Sequence, residues 1–450
     1  MNQGDAKGAV ALATQAIEAE PGEAWPYRAR AQAHLVLGEY DLAIADANRA
    51  IELNDKDSYA FAIRAEAHRL AGRLKLAVED ASQAIKLEPQ YAWAYGTRGV
   101  AYRDLGEFDL AIADLTHAIK LSPTYLWAYY QRAETYRRMA KYDLAVADAT
   151  KVIEEDPKLA PSAYATRGAA YKELEKFDLA IADLTRAIEL NPNSVWAYYQ
   201  RSLTYRRMGK YELAVQDATR AIELDPKYDV AYASRGAAYK ELGKYDLAIA
   251  DLGRAIDLDP TYPFAYYQRA ETYRRVGKYD LALADATKAT ELNPKYDLGF
   301  VTRGVIYKDM GKYDLAIADF THAIDIDPTY VWAINQRAEA YRMADQLDLA
   351  IADATRAIQL DPSVAWSYGI RASAYAEKGL FRDALADSDE ALKRDANYAF
   401  ALAMKGWALM ALGNKTEAVE YITKALSLDP SLSYLKDLLK QAVTSASGTS

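Results

Sequence analysis

The sequence of 450 residues contains no cysteine and only four histidines. Without cysteine there is no disulfide framework, no thiol nucleophile and no thiolate metal site, a composition that suits a reducing, cytoplasmic compartment. The histidines make no metal set, because no two of His34, His68, His117 and His322 stand at a zinc-ligand spacing. Apolar runs long enough to span a bilayer are missing, so no membrane span is expected. "MNQGDAKGAVALATQAIEA" (Met1 to Ala19) lacks a basic segment followed by an apolar one, so no secretory signal is expected either. Positive charge is also scarce: 55 Lys and Arg stand against 64 Asp and Glu, a net charge of -9, which argues against a surface built for nucleic acid. Glycines are scattered singly, leaving no phosphate-cradling loop, and no serine has a histidine and an acid arranged around it. A non-enzymatic protein with neither cofactor nor metal is the expectation.

Against these absences stands a composition of 51% hydrophobic and 26% charged residues, that of a folded chain. Internal repetition dominates it. Prolines 89, 123, 157, 192, 226, 260, 294, 328 and 362 are spaced by 34 residues, with a single interval of 35 around Ala160–Pro161. Within "AWAYGTRGVAYRDLGEFDLAIADLTHAIKLSP" (Ala92–Pro123), small and apolar residues follow helical spacing in two blocks. Tyr95, Gly99 and Tyr102 mark one face of a first helix, which Gly106 ends. Asp109 is placed to cap a second helix with Ala111, Ile112, Leu115, Ala118 and Ile119 inside, and Pro123 stops it. A lone hairpin of this kind cannot bury its apolar surface, so neighbours must stack.

The recurring Tyr, Gly, Tyr, Ala, Leu and Pro pattern, here Tyr95, Gly99, Tyr102, Ala111, Leu115 and Pro123, resembles the tetratricopeptide repeat (TPR) family. The resemblance implies an all-α fold, a solenoid in which helical hairpins stack as a right-handed superhelix. It covers nearly the whole chain. Residues 1–23 read as an N-terminal half repeat with a second helix only, residues 24–430 as twelve units, and residues 431–450 as a C-terminal capping helix (Leu432–Val443) with a frayed tail. The lone first helix leaves two readings open, a ragged native start or a piece of a longer chain.

One slot departs from the family. Where its signature usually has leucine, this chain has arginine from Arg30 to Arg371, on the face that should pack, and a charge there needs a partner. An aspartate follows 16 residues later in each of these repeats, giving Arg98 with Asp114, Arg132 with Asp148 and Arg235 with Asp251. In the twelfth repeat the slots hold Lys405 and Tyr421; both change together, which favours pairing within a repeat, although Lys405 could also reach Asp387 of the repeat before. A ladder of structural ion pairs is the reading.

A second, longer period overlies the first. "WAYYQRAETYRRM" at Trp127 returns as "WAYYQRSLTYRRM" at Trp196, "FAYYQRAETYRRV" at Phe264 and, loosely, "WAINQRAEAYRMA" at Trp332. Large-lined repeats therefore alternate with small-lined ones that carry Gly96/Thr97, Ala165/Thr166, Ala233/Ser234 and Val301/Thr302. The resemblance implies that first helices line a concave groove, whose exposed slots are Trp127, Tyr130, Gln131, Arg137 and Arg138; Trp196, Tyr199, Gln200, Arg206 and Arg207; Phe264, Tyr267, Gln268, Arg274 and Arg275; and Trp332 with Gln336. Peptide-binding members of the family carry asparagine where this chain has the glutamines, whose carboxamides both donate and accept. First helices roughly 10 Å apart put a two-repeat step near 20 Å, about six residues of extended peptide at ~3.3 Å each. The competing account is inheritance from a duplicated two-repeat cassette.

The expectation is a protein-interaction scaffold that binds an extended protein or peptide segment in the groove, with paired arginines favouring acidic character in the partner. The clamp that some family members use for a C-terminal carboxylate is absent, since Arg28, Gln32, Ile63 and Trp93 do not supply its residues. Two alternatives stay open: a regulatory or sensor arm of a larger protein, and a self-assembling solenoid that associates through its N-terminal end.

Overall fold

The computed structural model describes residues 3–295, 297–433, 435–437 and 439–440, and divides into two compact units, Met1–Pro226 and Lys227–Ser450. The first holds the helix Gln3–Ala19 and six helical hairpins: Ala24–Leu37 with Tyr40–Leu53, Ser58–Leu70 with Leu74–Leu87, Ala92–Leu105 with Phe108–Leu121, Leu126–Arg138 with Tyr142–Glu155, Ala160–Glu173 with Phe177–Leu190, and Val195–Arg207 with Tyr211–Leu224. The second holds six more: Asp229–Glu241 with Tyr245–Leu258, Pro263–Arg275 with Tyr279–Leu292, Asp297–Asp309 with Tyr313–Ile326, Val331–Met343 with Leu347–Leu360, Ala365–Glu377 with Phe381–Arg394, and Ala399–Ala411 with Lys415–Leu428. They are numbered one to twelve along the chain.

Local chemistry sets each boundary. In the third hairpin Gly106 takes the left-handed conformation (φ 86°), so that its N–H and that of Glu107 reach back to the carbonyls of Arg103 and Tyr102 at 3.0 and 2.8 Å. The residue capping the next helix is Glu107, not Asp109. Asp109 lies inside the first turn, where its charge meets the positive end of the helix dipole. Turns of the Asp-Pro-Thr type close themselves: the Asp259 carboxylate accepts from the Thr261 N–H at 2.8 Å and from its hydroxyl at 2.7 Å. Gly99 lets the two helices of a hairpin approach closely, since a Cβ there would stand 2.9 Å from Leu115 Cγ and 3.2 Å from the Ala111 carbonyl. The extra residue near Pro161 lengthens the first helix of the fifth hairpin to 14 residues, against 13 in the fourth, and leaves later pairings in register.

Apolar clusters join neighbouring hairpins within each compact unit. Val100, Leu115, Ala118 and Ile119 pack with Ala128 in the first, and Val301, Ala323 and Ile324 with Ala333 and Ile334 in the second. Ala6 and Ala13 of Gln3–Ala19 are buried. At the other end, residues 435–437 and 439–440 are helical and Leu435 is fully buried against Ile422 and Ala425. The capping helix is expected from Leu432, but Leu432 and Ser433 are not helical; residues 434, 438 and 441–450, with the expected helix end at Val443 and the tail, lie outside the described residues.

The arginines at the departing slot all meet aspartates. In eleven repeats Nε and Nη2 of the arginine donate to the two carboxylate oxygens of the aspartate 16 residues on. Arg98 lies 2.7 and 2.9 Å from Asp114, Arg132 the same from Asp148, and Arg235 2.7 and 2.8 Å from Asp251. The plane of each guanidinium is covered as well, as Arg98 is by the rings of Tyr95 and Tyr102 at 5.6 and 5.9 Å. A third contact crosses to the neighbouring hairpin: Arg98 Nη1 donates to Ser82 Oγ of the preceding hairpin at 3.1 Å, and Arg132 to Thr116 at 3.0 Å. Lys405 does not take the alternative partner in the repeat before. Asp387 is already held at both oxygens by Arg371, and Lys405 pairs instead with Asp389 at 2.7 Å, the residue in the position of that hydroxyl.

Candidate functional site: the face of the first helices

The small-lined repeats make room for the large ones beside them. A Cβ on Gly96 would stand 3.0 Å from the Trp127 ring and 3.2 Å from that of Tyr125, and these two rings stack at 5.6 Å. In the sixth hairpin the Trp196 ring is covered by Arg137 at 5.3 Å. Phe264 meets Tyr262 and Tyr267 at 5.8 and 6.1 Å. Tyr130 is largely enclosed, and burial pushes its hydroxyl above the ordinary tyrosine value, as does Glu134. Tyr199 and Arg206 also engage neighbouring groups.

The glutamines turn toward the protein. Gln131 accepts from Arg103, Gln200 from Lys172 Nζ at 2.9 Å and Gln336 from Lys308 Nζ at 2.7 Å, each donor coming from the preceding small-lined repeat. Gln200, Gln268 and Gln336 are only 5 to 7% exposed, so their carboxamides form part of the wall. Among the described residues Gln268 Oε1 has no hydrogen-bond donor. Lys172 and Lys240 are themselves buried; desolvation pulls both below lysine's usual value, and Glu173 and Glu241 partly oppose it.

The arginines have acids at hand. Arg137 lies 3.1 Å from Glu134, Arg138 3.7 Å from Asp104, Arg207 2.8 Å from Glu173 and Arg275 3.3 Å from Glu241. Arg274 is shared between Glu271 at 3.3 Å and Asp309 at 2.9 Å. Burial alone would raise Glu173, but Lys172 and Arg207 outweigh it and hold the carboxyl below the usual range. Size and charge thus alternate together: a small, acid-bearing repeat sits beside a large, arginine-bearing one. The sequence carried the signal for these pairs in Asp104, Glu173, Glu241 and Asp309, which recur in the small-lined repeats.

What the face leaves open is aromatic. Trp25, Tyr59 and Trp332 keep 49%, 46% and 40% of their surface exposed. In the first compact unit a cavity of about 280 Å³ lies among Arg28, Gln32, Tyr59, Ile63 and Trp93. In the second, one of about 440 Å³ lies among the first helices of hairpins eight, nine and ten, with Tyr267, Val301, Tyr330 and Trp332 in its walls. The histidines have packing neighbours: His117 lies against Tyr95 at 4.3 Å, His322 against Phe300 at 4.0 Å, and His34 Nδ1 beside Glu39 at 2.5 Å. Among the described residues no helix is long and apolar enough to cross a membrane.

Comparison with known proteins decides the family. Models described as "TPR repeat" match residues 99–139, 203–243 and 236–277, and models described as "Tetratricopeptide repeat" match 1–60, 28–92, 128–159, 161–194, 184–216, 263–296, 299–330 and 399–432, together well over half of the chain. The chain belongs to the tetratricopeptide repeat family. No curated protein sequence matches this TPR chain. Among solved structures, that of the APC/C hetero-tetramer Cut9-Hcn1 aligns with a TM-score of 0.56 at 16% identity, covering 98% of this chain and 94% of that one, a likeness of fold. Yeast Tom70 aligns at 0.43 and 19% identity over 94% and 95% of the two chains. A TPR protein from Parabacteroides merdae ATCC 43184 aligns at 0.46 and 21% identity over 56% of this chain and 99% of that one.

Proposed function

We propose that this TPR array is a protein-interaction scaffold that takes an extended segment of a partner against its first helices. The observation that carries the reading is the exposure of Trp25, Tyr59 and Trp332 on first helices, Tyr59 and Trp332 each lining a cavity within its own compact unit. Open aromatic anchors set among satisfied polar groups have the make-up of binding hot spots. On this reading Gln131, Gln200 and Gln336 brace the wall, and the aromatic rings meet the ligand. An acidic segment, expected from the arginines, would have to draw Arg137, Arg207, Arg274 and Arg275 away from carboxylates they already hold.

Affinity capture from the source lysate with three forms of the protein tests this. Trp25→Ala/Tyr59→Ala/Trp332→Ala should melt like the intact chain and lose the captured partner. Gln131→Ala/Gln200→Ala/Gln268→Ala should keep the partner and melt earlier. Retention by the aromatic variant would refute the reading. A second surface would then take precedence, because Leu42, Leu76, Leu110 and Leu144 on second helices stand 45 to 52% exposed, one per repeat, and suit docking or self-association.

A further inference from the structure

Ten of the twelve repeats place an aromatic ring where Tyr95 stands in the third. The ring lies between the arginine and a side chain of the second helix. Tyr95 covers Arg98 at 5.6 Å and meets His117 at 4.3 Å; Phe300 covers Arg303 at 5.5 Å and meets His322 at 4.0 Å. The tenth repeat has Ile334 in the slot but keeps the fork of Arg337 on Asp353. The twelfth changes both, with Leu402 for the ring and Lys405 for the guanidinium. A cavity of about 400 Å³ lies here, lined by Leu392, Leu402, Tyr421 and three lysines, Lys393, Lys405 and Lys424.

The lining carries an excess of positive charge. Its three lysines face one carboxylate, Asp389, which Lys405 holds at 2.7 Å. Glu390 pairs with Lys393 but is shared with Arg394, so counting both leaves the excess at two. Asp395, next to Ala396 in the turn, spends its carboxylate on the Asn397 N–H at 2.9 Å. Lys424, in the slot of His117, donates to the neutral Ala396 carbonyl at 3.2 Å.

We infer that this cavity takes an aromatic ring carrying an anionic group, of the aryl phosphate or aryl carboxylate class. The ring fills the place that Tyr95 and its counterparts fill in other repeats, against Leu392 and Leu402, with the Lys405 ammonium near its face as it is near that of Tyr421 at 4.1 Å. The anionic group meets Lys393 and Lys424 at the exposed side. An uncharged ring leaves the lysines uncompensated, and a bare anion gains no apolar contact. The site stands apart from the exposed aromatic rings of the first helices, so neither reading depends on the other.

The absence of cysteine allows a single local reporter in the full chain, Asn397→Cys carrying a trifluoromethyl label beside Ala396. The probes are phenyl phosphate and benzoate, compared with inorganic phosphate and phenol. Both aryl anions should shift the fluorine resonance saturably, about tenfold more tightly than either fragment. Lys393→Gln/Lys424→Gln changes two exposed side chains, and should leave the melt unchanged and weaken phenyl phosphate about tenfold. Leu402→Tyr restores the ring of the other repeats and should abolish the shift. Equal affinity for inorganic phosphate or phenol overturns the inference, as does undiminished binding in the lysine variant. So does binding that persists in a Leu402→Tyr chain that melts like the parent; should that chain not fold, the lysine variant decides alone. A capped phosphotyrosyl pentapeptide separates the two sources of such a group, since tighter binding than phenyl phosphate assigns the site to a partner's side chain and weaker binding to a free aryl anion.

Discussion

At the scale of single residues, the repeats act as controls for one another. Gly253 occupies the position, 16 residues before Arg269, where most other repeats place a hydroxyl that the arginine of the next hairpin contacts. A Cβ there would lie 3.6 Å from Arg269 Nη1, an ordinary contact, so a side chain fits. Gly253→Ser should stabilise the neighbouring hairpins by about 1 kcal/mol, from better helix propensity and a regained hydrogen bond to a charged group. Native-state hydrogen exchange across 245–285 measures it, and unchanged protection would contradict the account. His68 gives a pH-dependent contrast. It fills a slot held by tyrosine in later repeats, and burial lowers it below the ordinary value of 6.5; Asp80 opposes this in part, while Arg64 and Arg73 add to the lowering. The unfolded chain then takes up the proton first, so stability is intact above pH 6.5 and falls as the pH drops below it. His68→Tyr should remove that acid-side loss and place a second ring on Arg64. Urea midpoints at about pH 7.5 and about pH 5.5 decide it, the variant showing the smaller difference.

At the scale of the hairpin, the arginine and aspartate ladder replaces a leucine contact with a desolvated ion pair. Asp114 is 7% exposed, so Arg98→Leu alone leaves a buried carboxylate without its partner and should cost about 3–5 kcal/mol locally. Arg98→Leu/Asp114→Leu should recover much of that loss, because an apolar pair of similar volume needs no charge compensation. A double-mutant cycle read by exchange in the third hairpin tests the coupling, and additive losses would sink it. This ladder could be read from the sequence because both residue types recur at a fixed offset and change together at Lys405. The hydroxyl contact could not. Its slot varies among Thr14, Asn48, Ser82, Gly253 and Asp389, and only the stacking of one hairpin on the next brings it to the arginine.

At the scale of the whole molecule, the two-repeat period has a physical account in neighbour matching. Gly96 receives Trp127, and Glu173 and Glu241 receive Arg207 and Arg275. Size alternation was legible because it is a property of residue types. The direction of each polar group was not: whether Gln200 faces a ligand or Lys172 depends on the separation of adjacent helices, which periodicity does not encode. The same limit hid the exposed aromatic surface, since Trp127 and Trp332 occupy equivalent slots and only the second stands open. Hydrogen–deuterium exchange of the intact chain, free and with its captured partner, tests the central claim most directly. The account predicts new protection on first helices around Trp25 and Tyr59 and on Pro263–Arg275, Asp297–Asp309 and Val331–Met343, with second helices unchanged. Protection confined to the second helices, along the leucines from Leu42 to Leu144 and their counterparts, would contradict it.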